Sequence, residues 1–330
     1  MALLEASGGC EQRGGMTEHN QSHTTEWLKY FGRQGYPDVR PLASGVEGAI
    51  YRLKGGTVAK VWGHRGASAL VKMQKFYADV AHANLDFATP VILSVDEVDG
   101  TAITYERELP GRPLQDRLAF DDTELDESAV KGVIDVLKAL ATVPATEAML
   151  QMPVLDEDHP FRDESGDFPA SLIALLDRRV QRFGNVLRGH VVDFDQRYAR
   201  IVEKLAGIDR VQPSVVHGDL FGANILVDER ARPVSVLDFG FLSTAGDPRL
   251  DASITAGIMN MYGPHAEAIA TTLTDRLAME LGYSPEVLLI YRAAYAVATS
   301  NVFTADGSDG HFLWCVAQLT KQRVTTALGL

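Results

Sequence analysis

The chain has 330 residues, of which 46% are apolar and 23% charged, and its formal charge is −13. That apolar share excludes a globally disordered chain, and the acidic balance argues against a nucleic-acid or anionic-membrane partner. Cys10 and Cys315 are too few for a disulfide framework or a four-cysteine zinc site, so reduced thiols and a cytoplasmic protein are expected.

Residues 1–24 hold few apolar side chains and are expected to form a disordered tail, with Met16 an alternative start. No secretory signal is recognised at the start of the chain. Thr24 or Thr25 is expected to cap a short helix carrying Trp27, Leu28, Tyr30 and Phe31. Residues 39–43, 49–53 and 57–62 read as strands, punctuated by Gly45, Gly48 and Gly55-Gly56. A helix follows over 67–83, then strands at 91–95 and 101–106 joined at Asp99-Gly100. Pro110-Gly111 breaks the chain.

Beyond it the pattern is mainly helical. Thr123 is expected to cap 124–142, and a second helical region runs from 169 or 170 to 205 with a break near Gly184 or Gly189. Short strands are expected at 215–217, 225–227 and 234–237, and helices at 250–261, 265–281, 285–304 and 311–328. The longest apolar stretch, 287–303, is interrupted by Arg292 and is short for a bilayer span, so it reads as a core helix.

The chemistry concentrates in one segment, Val216-His217-Gly218-Asp219-Leu220-Phe221-Gly222-Ala223-Asn224, and in Leu237-Asp238-Phe239-Gly240 beyond it. A strand delivers an acid, an Asn follows five positions later, and a second acid ends another strand. Phosphoryl transfer needs one carboxylate to orient and deprotonate the attacking hydroxyl, and an Asn and another carboxylate to hold Mg²⁺ on the phosphates. Taken singly, each of these residues is also an ordinary turn or cap former.

The run HGDLFGAN followed by LDFG resembles the aminoglycoside phosphotransferase and choline-kinase-like family, and Gly246-Asp247-Pro248 with Asp251 extends the likeness. The resemblance runs from about Val39 to Asp251. It implies an α+β, bilobal, protein-kinase-like fold. The N-lobe, 25–108, would be a five-stranded antiparallel sheet with one helix and would bind nucleotide. The mainly helical C-lobe, 109–330, would carry catalysis and the acceptor. It further implies that Asp219 is the catalytic base, that Asn224 and Asp238 hold the metal, and that His217 shapes the loop, with Asp247 and Asp251 bracing it.

Two features upstream agree. Glycines in Ser44-Gly45-Val46-Glu47-Gly48 let backbone amides approach phosphate oxygens, although an ordinary hairpin turn has the same residues. Lys60 alternates with apolar neighbours on the third strand, where it can neutralise phosphate charge. Kinase-like folds pair this Lys with a Glu on the next helix, yet 67–83 contains no Glu and offers only Asp79 and Gln74. The hinge resembles Tyr105–Gly111, where adenine would meet backbone around Glu106, Glu108 and Leu109.

Asp247 comes only nine positions after Asp238, too few for a peptide platform, so a small acceptor is expected. The acidic balance, with acids at Asp156–Asp158, Asp193, Asp195, Asp306 and Asp309, suggests a cationic one. The expected activity is O-phosphotransfer from ATP with Mg²⁺ to an aminoglycoside-type antibiotic, a resistance trait, with GTP left open as donor. A metabolic kinase for choline or an amino sugar, and a nucleotide-binding regulator with lost catalysis, are the alternatives. No obligate protein partner is expected.

Overall fold

The computed structural model describes residues 18–45, 47–162 and 167–330. The chain divides into two compact units, Met1–Gly111 with Ser235–Leu237, and Arg112–Val234 with Asp238–Leu330.

In the first unit, helix α1 (Glu18–Arg33) begins upstream of the expected cap at Thr24 or Thr25. Of the tail expected over 1–24, residues 1–17 lie outside the described residues, and the rest is helix. Strands β1 (Arg40–Gly45), β2 (Gly48–Arg52), β3 (Thr57–Trp62), β4 (Ile92–Val98) and β5 (Thr101–Arg107) form an antiparallel sheet in the order β1-β2-β3-β5-β4. Side chains alternate across a strand, so the sheet has two chemistries. Tyr51, Ala59, Val61 and Ile103 pack with Phe31 of α1, and Trp27, Leu28 and Tyr30 close over them. Burial of each such large side chain is worth about 1.5–3 kcal/mol, which fixes α1 on that face. Lys60, Trp62, Thr104 and Glu106 belong to the opposite face, with Lys60 and Thr104 in register. Helix α2 (Ala67–Ala81) packs on β4 and buries Leu70, Met73, Phe76, Tyr77 and Val80.

The second unit is mainly helical. After β6 (Arg112–Pro113), helix α3 (Glu127–Leu140) is capped by Asp126, whose side chain accepts from the Ser128 and Ala129 amides, and not by Thr123. Helix α4 (Glu147–Leu150) is a single turn. Helix α5 (Phe168–His190) starts behind an Asp167 cap and runs through Gly184 and Gly189. An interior glycine costs a helix only about 1 kcal/mol, less than packing returns. The break falls instead before α6 (Phe194–Ala206), where Asp193 is left-handed at φ 54°.

Strands β7 (Ser214–Val216), β8 (Ile225–Val227), β9 (Pro233–Val236) and β10 (Thr244–Gly246) are short. β7 pairs with β10, and β6-β8-β9 make a second small sheet. At Ser235–Leu237 the chain passes through the first unit, where the Ser235 hydroxyl donates to the Pro110 carbonyl at 2.7 Å and the Val236 amide to the Ala88 carbonyl at 2.9 Å.

Five helices follow: α7 (Pro248–Ile258), α8 (Ala266–Leu281), α9 (Pro285–Thr299), α10 (Gly310–Thr320) and α11 (Gln322–Leu328). The single helix expected over 311–328 is split at Lys321, which is extended. Residues Leu288–Thr299 are buried on every side, so α9 is the apolar axis of this unit, packed against α5, α6, α7, α8, α10 and α11. No helix among the described residues is long and apolar enough to cross a membrane.

Candidate active site

In the second unit the loop after β7 carries His217, Gly218 and Asp219, all buried. Gly218 has φ +79°, and a Cβ there would lie 2.5 Å from the Leu242 carbonyl carbon, so only glycine fits. The loop is held through its main chain. Asp251 on α7 accepts the His217 amide at 2.7 Å and the Gly218 amide at 2.8 Å. The His217 carbonyl accepts the Ser243 hydroxyl at 2.6 Å and the Gly240 amide at 3.1 Å. The His217 ring takes the Asp219 amide on Nδ1 at 3.2 Å, which puts the proton of the neutral ring on Nε2, and stacks on Phe239 at 4.6 Å. The His217 ring and main chain are thus both tied into this loop.

Asn224 is buried, and its Nδ2 donates to the Asp219 carbonyl at 2.9 Å. That bond fixes the amide, and among the described residues Oδ1 is a hard oxygen available to a metal. Asp238 follows β9 in the left-handed region at φ 32°, a conformation that costs a non-glycine residue about 1–3 kcal/mol. Gly240 lies so close to Asp219 that an added Cβ would meet the Asp219 Cβ at 2.2 Å. The structure therefore gathers His217, Asp219, Asn224 and the Asp238–Gly240 turn in one buried neighbourhood. An Asn oxygen and an Asp carboxylate form a donor set suited to Mg²⁺, which fills the rest of its shell with water and phosphate.

The Gly246-Asp247-Pro248 run leads into α7. Gly246 sits against the Phe168 ring, 2.1 Å from where its Cβ would stand. Asp247 caps α7, binds the Arg249 Nε at 2.9 Å and accepts the Tyr291 hydroxyl at 2.7 Å. Asp247 therefore anchors its own helix, and Asp251, one turn later, is the residue that reaches the loop. Burial is the largest influence on Asp251 and pushes its carboxyl up to about 6 against the two amide bonds that favour the anion.

In the first unit, Gly45 and Gly48 pair across the β1–β2 hairpin. Gly48, the first residue of β2, has φ +143° and lies against β3, where a Cβ would be 1.9 Å from the Val61 oxygen. Lys60 is buried, and its Nζ meets Glu47 Oε2 at 2.9 Å and lies 3.9 Å from the centre of the Trp62 ring. One acid that meets Lys60 comes from the hairpin. Gln74, the amide expected as a candidate on α2, instead donates to the Ile92 carbonyl at 2.9 Å. Desolvation is the largest single effect on Glu47 and opposes ionisation. The nearby Lys60 and Arg65 charges outweigh it and hold the carboxyl below its ordinary value.

Trp62 Nε1 donates to Thr104 Oγ1 at 2.9 Å, and Thr104 donates to Glu106 Oε1 at 2.5 Å. Glu108 pairs with Arg52 at 2.5 Å, and its amide donates to the Gly56 carbonyl at 2.8 Å. Leu109 lies just past the end of β5. Sequence reasoning missed Arg65, Trp62, Thr104 and Ser243. It quoted Glu47 without a role, although Glu47 is the one acid in that glycine hairpin.

The acids expected to receive a cation are largely engaged by the chain itself. Asp156 pairs with Arg179 and Arg182, Glu157 with Arg178, Asp158 with His159, and Asp195 with Arg188. Asp309 caps α10 and takes the Thr304 hydroxyl, while Asp306 takes the Ser308 amide.

No curated protein sequence matches the chain. Solved structures do. The apoenzyme of macrolide 2'-phosphotransferase MphH from Brachybacterium faecium has a TM-score of 0.56 at 18% identity, over 89% of this chain and 98% of that one. Aminoglycoside phosphotransferase APH(3'')-Id from Streptomyces rimosus, solved with ADP and streptomycin, has a TM-score of 0.51 at 17% identity, over 82% and 97%. The GDP complex of wild-type aminoglycoside 2'-phosphotransferase-IIIa has a TM-score of 0.54 at 16% identity, over 94% and 98%. At these identities the likeness establishes the kinase-like α+β fold. The phosphotransferase enzyme family (APH) matches residues 38–288, about three quarters of the chain, and the protein is a small-molecule phosphotransferase belonging to that family.

Proposed function

We propose that the chain moves the γ-phosphoryl group of ATP to a hydroxyl of an antibiotic-type small molecule, with Asp219 orienting that hydroxyl and taking its proton. The observation that carries this reading is the loop geometry. Asp219 projects from a segment held by Asp251, Ser243 and Gly240, beside an Asn224 whose amide is already fixed. Preorganised positioning of this kind supplies much of the rate in phosphoryl transfer.

The acceptor oxygen forms the new P–O bond, the bond from the γ-phosphorus to its bridging oxygen breaks, and the nucleoside diphosphate leaves. Asn224 and Asp238 would hold Mg²⁺, which when bound neutralises phosphate charge. The first unit would bind nucleotide, with Lys60 and the Gly45–Gly48 hairpin at the phosphates and backbone around Glu106, Glu108 and Leu109 at the base. Similar structures solved with ADP and with GDP support a purine nucleotide and keep both donors in the test.

An aminoglycoside is the first acceptor to try, given the streptomycin complex. A macrolide is the second, favoured by the self-pairing of Asp156, Glu157 and Asp195, which leaves less free negative charge for a cation. The test is Mg²⁺-dependent diphosphate release with streptomycin, kanamycin, erythromycin and choline, with ATP and GTP as donors. One antibiotic should stimulate release, and Asp219→Ala should reduce it by about 10²–10⁴-fold. Stimulation by choline alone, by no acceptor, or stimulation that survives Asp219→Ala would overturn the reading.

A further inference from the structure

The β1–β2 hairpin places an acid where the proposed function needs room for phosphate. Glu47 bridges two cations with separate oxygens: Oε2 takes Lys60 Nζ at 2.9 Å and Oε1 takes Arg65 Nη2 at 3.2 Å. Both cations attend the same ring, with Lys60 Nζ 3.9 Å and Arg65 Cζ 5.6 Å from the Trp62 centre. Trp62 is itself pinned through Nε1 to the buried Thr104. The platform is rigid, and the two positive groups stand on it side by side.

We propose that Glu47 competes with nucleotide phosphate for Lys60, and that Arg65 is a second phosphate-binding cation beside Lys60. The inference rests on the reading of Lys60 as a nucleotide ligand. The Glu47 carboxylate presents two anionic oxygens to Lys60 and Arg65, as a phosphate would. When a polyphosphate arrives, it displaces the carboxylate and inherits both cations.

The backbone permits this exchange. The Glu47 carbonyl accepts the Gly63 amide at 2.9 Å, and Gly48 is seated against Val61, so the base of the hairpin is anchored. The Glu47 side chain is 38% exposed and can rotate toward water without breaking the ladder. Lys60, at 5% side-chain exposure, cannot leave in the same way. Departure of the carboxylate therefore removes one anion from the Lys60 ammonium and from Arg65, and the incoming phosphate takes its place. An internal competitor raises the apparent dissociation constant of every ligand it must yield to, by the ratio of closed to open states. The effect requires phosphate, since a neutral nucleoside does not compete for the cations.

Equilibrium titration of the full chain with ADP, and with adenosine as the uncharged control, tests the inference. Glu47→Gln keeps the side-chain shape and removes the charge. It should bind ADP at least about threefold more tightly than wild type while adenosine affinity stays level. Arg65→Met should weaken ADP by about tenfold, the scale of one charge-assisted contact, again without effect on adenosine. Equal or weaker ADP binding by Glu47→Gln would mean that Glu47 orients the cations rather than competing for them, and would overturn the proposal. ADP affinity unchanged in Arg65→Met would overturn the role of Arg65. If neither wild type nor Glu47→Gln binds ADP, the nucleotide reading itself falls and takes this inference with it. If only Glu47→Gln binds, the inference stands at its strongest.

Discussion

Asp251 lies behind His217: its Oδ2 accepts the His217 amide at 2.7 Å, and its Oδ1 takes the next amide along, that of Gly218, at 2.8 Å. A fully buried carboxylate spends both oxygens on the main chain two residues before Asp219. Burial raises this carboxyl to about 6. The folded protein thus holds the Asp251 proton more tightly than the unfolded chain does, so this group contributes stability at low pH. That contribution is lost as pH rises from the ordinary 3.8 through about 6, and is constant above.

The consequence for turnover runs the other way. Below about pH 6 a protonated Asp251 has one weaker acceptor, its hydroxyl facing an amide that also donates, so the loop loosens. Turnover should fall on the acid side with an apparent value near 6, and Asp251→Asn should remove that limb and cost about 1–3 kcal/mol of stability. A pH–rate profile of the two proteins decides it. An acid limb at the same pH in Asp251→Asn assigns the titration elsewhere.

Gly240→Ala should disable the enzyme with little change in secondary structure. Its Cβ would stand 2.2 Å from the Asp219 Cβ, so either Asp219 or the Asp238 turn must move. A displacement near 1 Å at a reacting group costs about 10²-fold in rate. Circular dichroism alongside kcat checks this, and a variant within about threefold of wild type would show that the turn yields more easily than its packing suggests.

Thr104→Val removes a buried hydroxyl at constant shape. The Trp62 indole loses its acceptor and Glu106 loses a donor. The expected loss is about 1–3 kcal/mol, read as a lower urea midpoint at unchanged slope. A loss under about 0.5 kcal/mol would mean that the indole finds another partner.

Asn224→Ala should raise the Mg²⁺ concentration needed for half-maximal turnover by about tenfold or more, since one hard oxygen leaves the shell. An unchanged Mg²⁺ requirement with reduced kcat would mark Asn224 as a loop brace, acting only through the Asp219 carbonyl.

Much of this was legible in the sequence, for identifiable reasons. The run from His217 to Asn224 reads directly because its residues are close in chain order, and Gly218 is there for a backbone only glycine adopts. Strand β3 was bounded correctly because Lys60 alternates with apolar neighbours. What escaped was long-range or too short to carry a period. β10 has three residues and α4 has four. The break between α5 and α6 was sought at glycines, but packing carries the helix past both and the left-handed residue is Asp193. Arg65 lay outside every motif, 18 residues from Glu47, and only the antiparallel fold of β2 on β3 brings them together.

The braces on the His217–Gly218 segment grip main-chain atoms rather than side chains: amides taken by Asp251 and a carbonyl taken by Ser243 and Gly240. Such a grip does not depend on the side chains that would line the acceptor. Under shifting selection a lineage with this core can remodel whatever walls meet the acceptor, one substitution at a time, while the reacting groups keep their registration. The breadth of compounds accepted is then an evolvable property, separable from the capacity to turn them over.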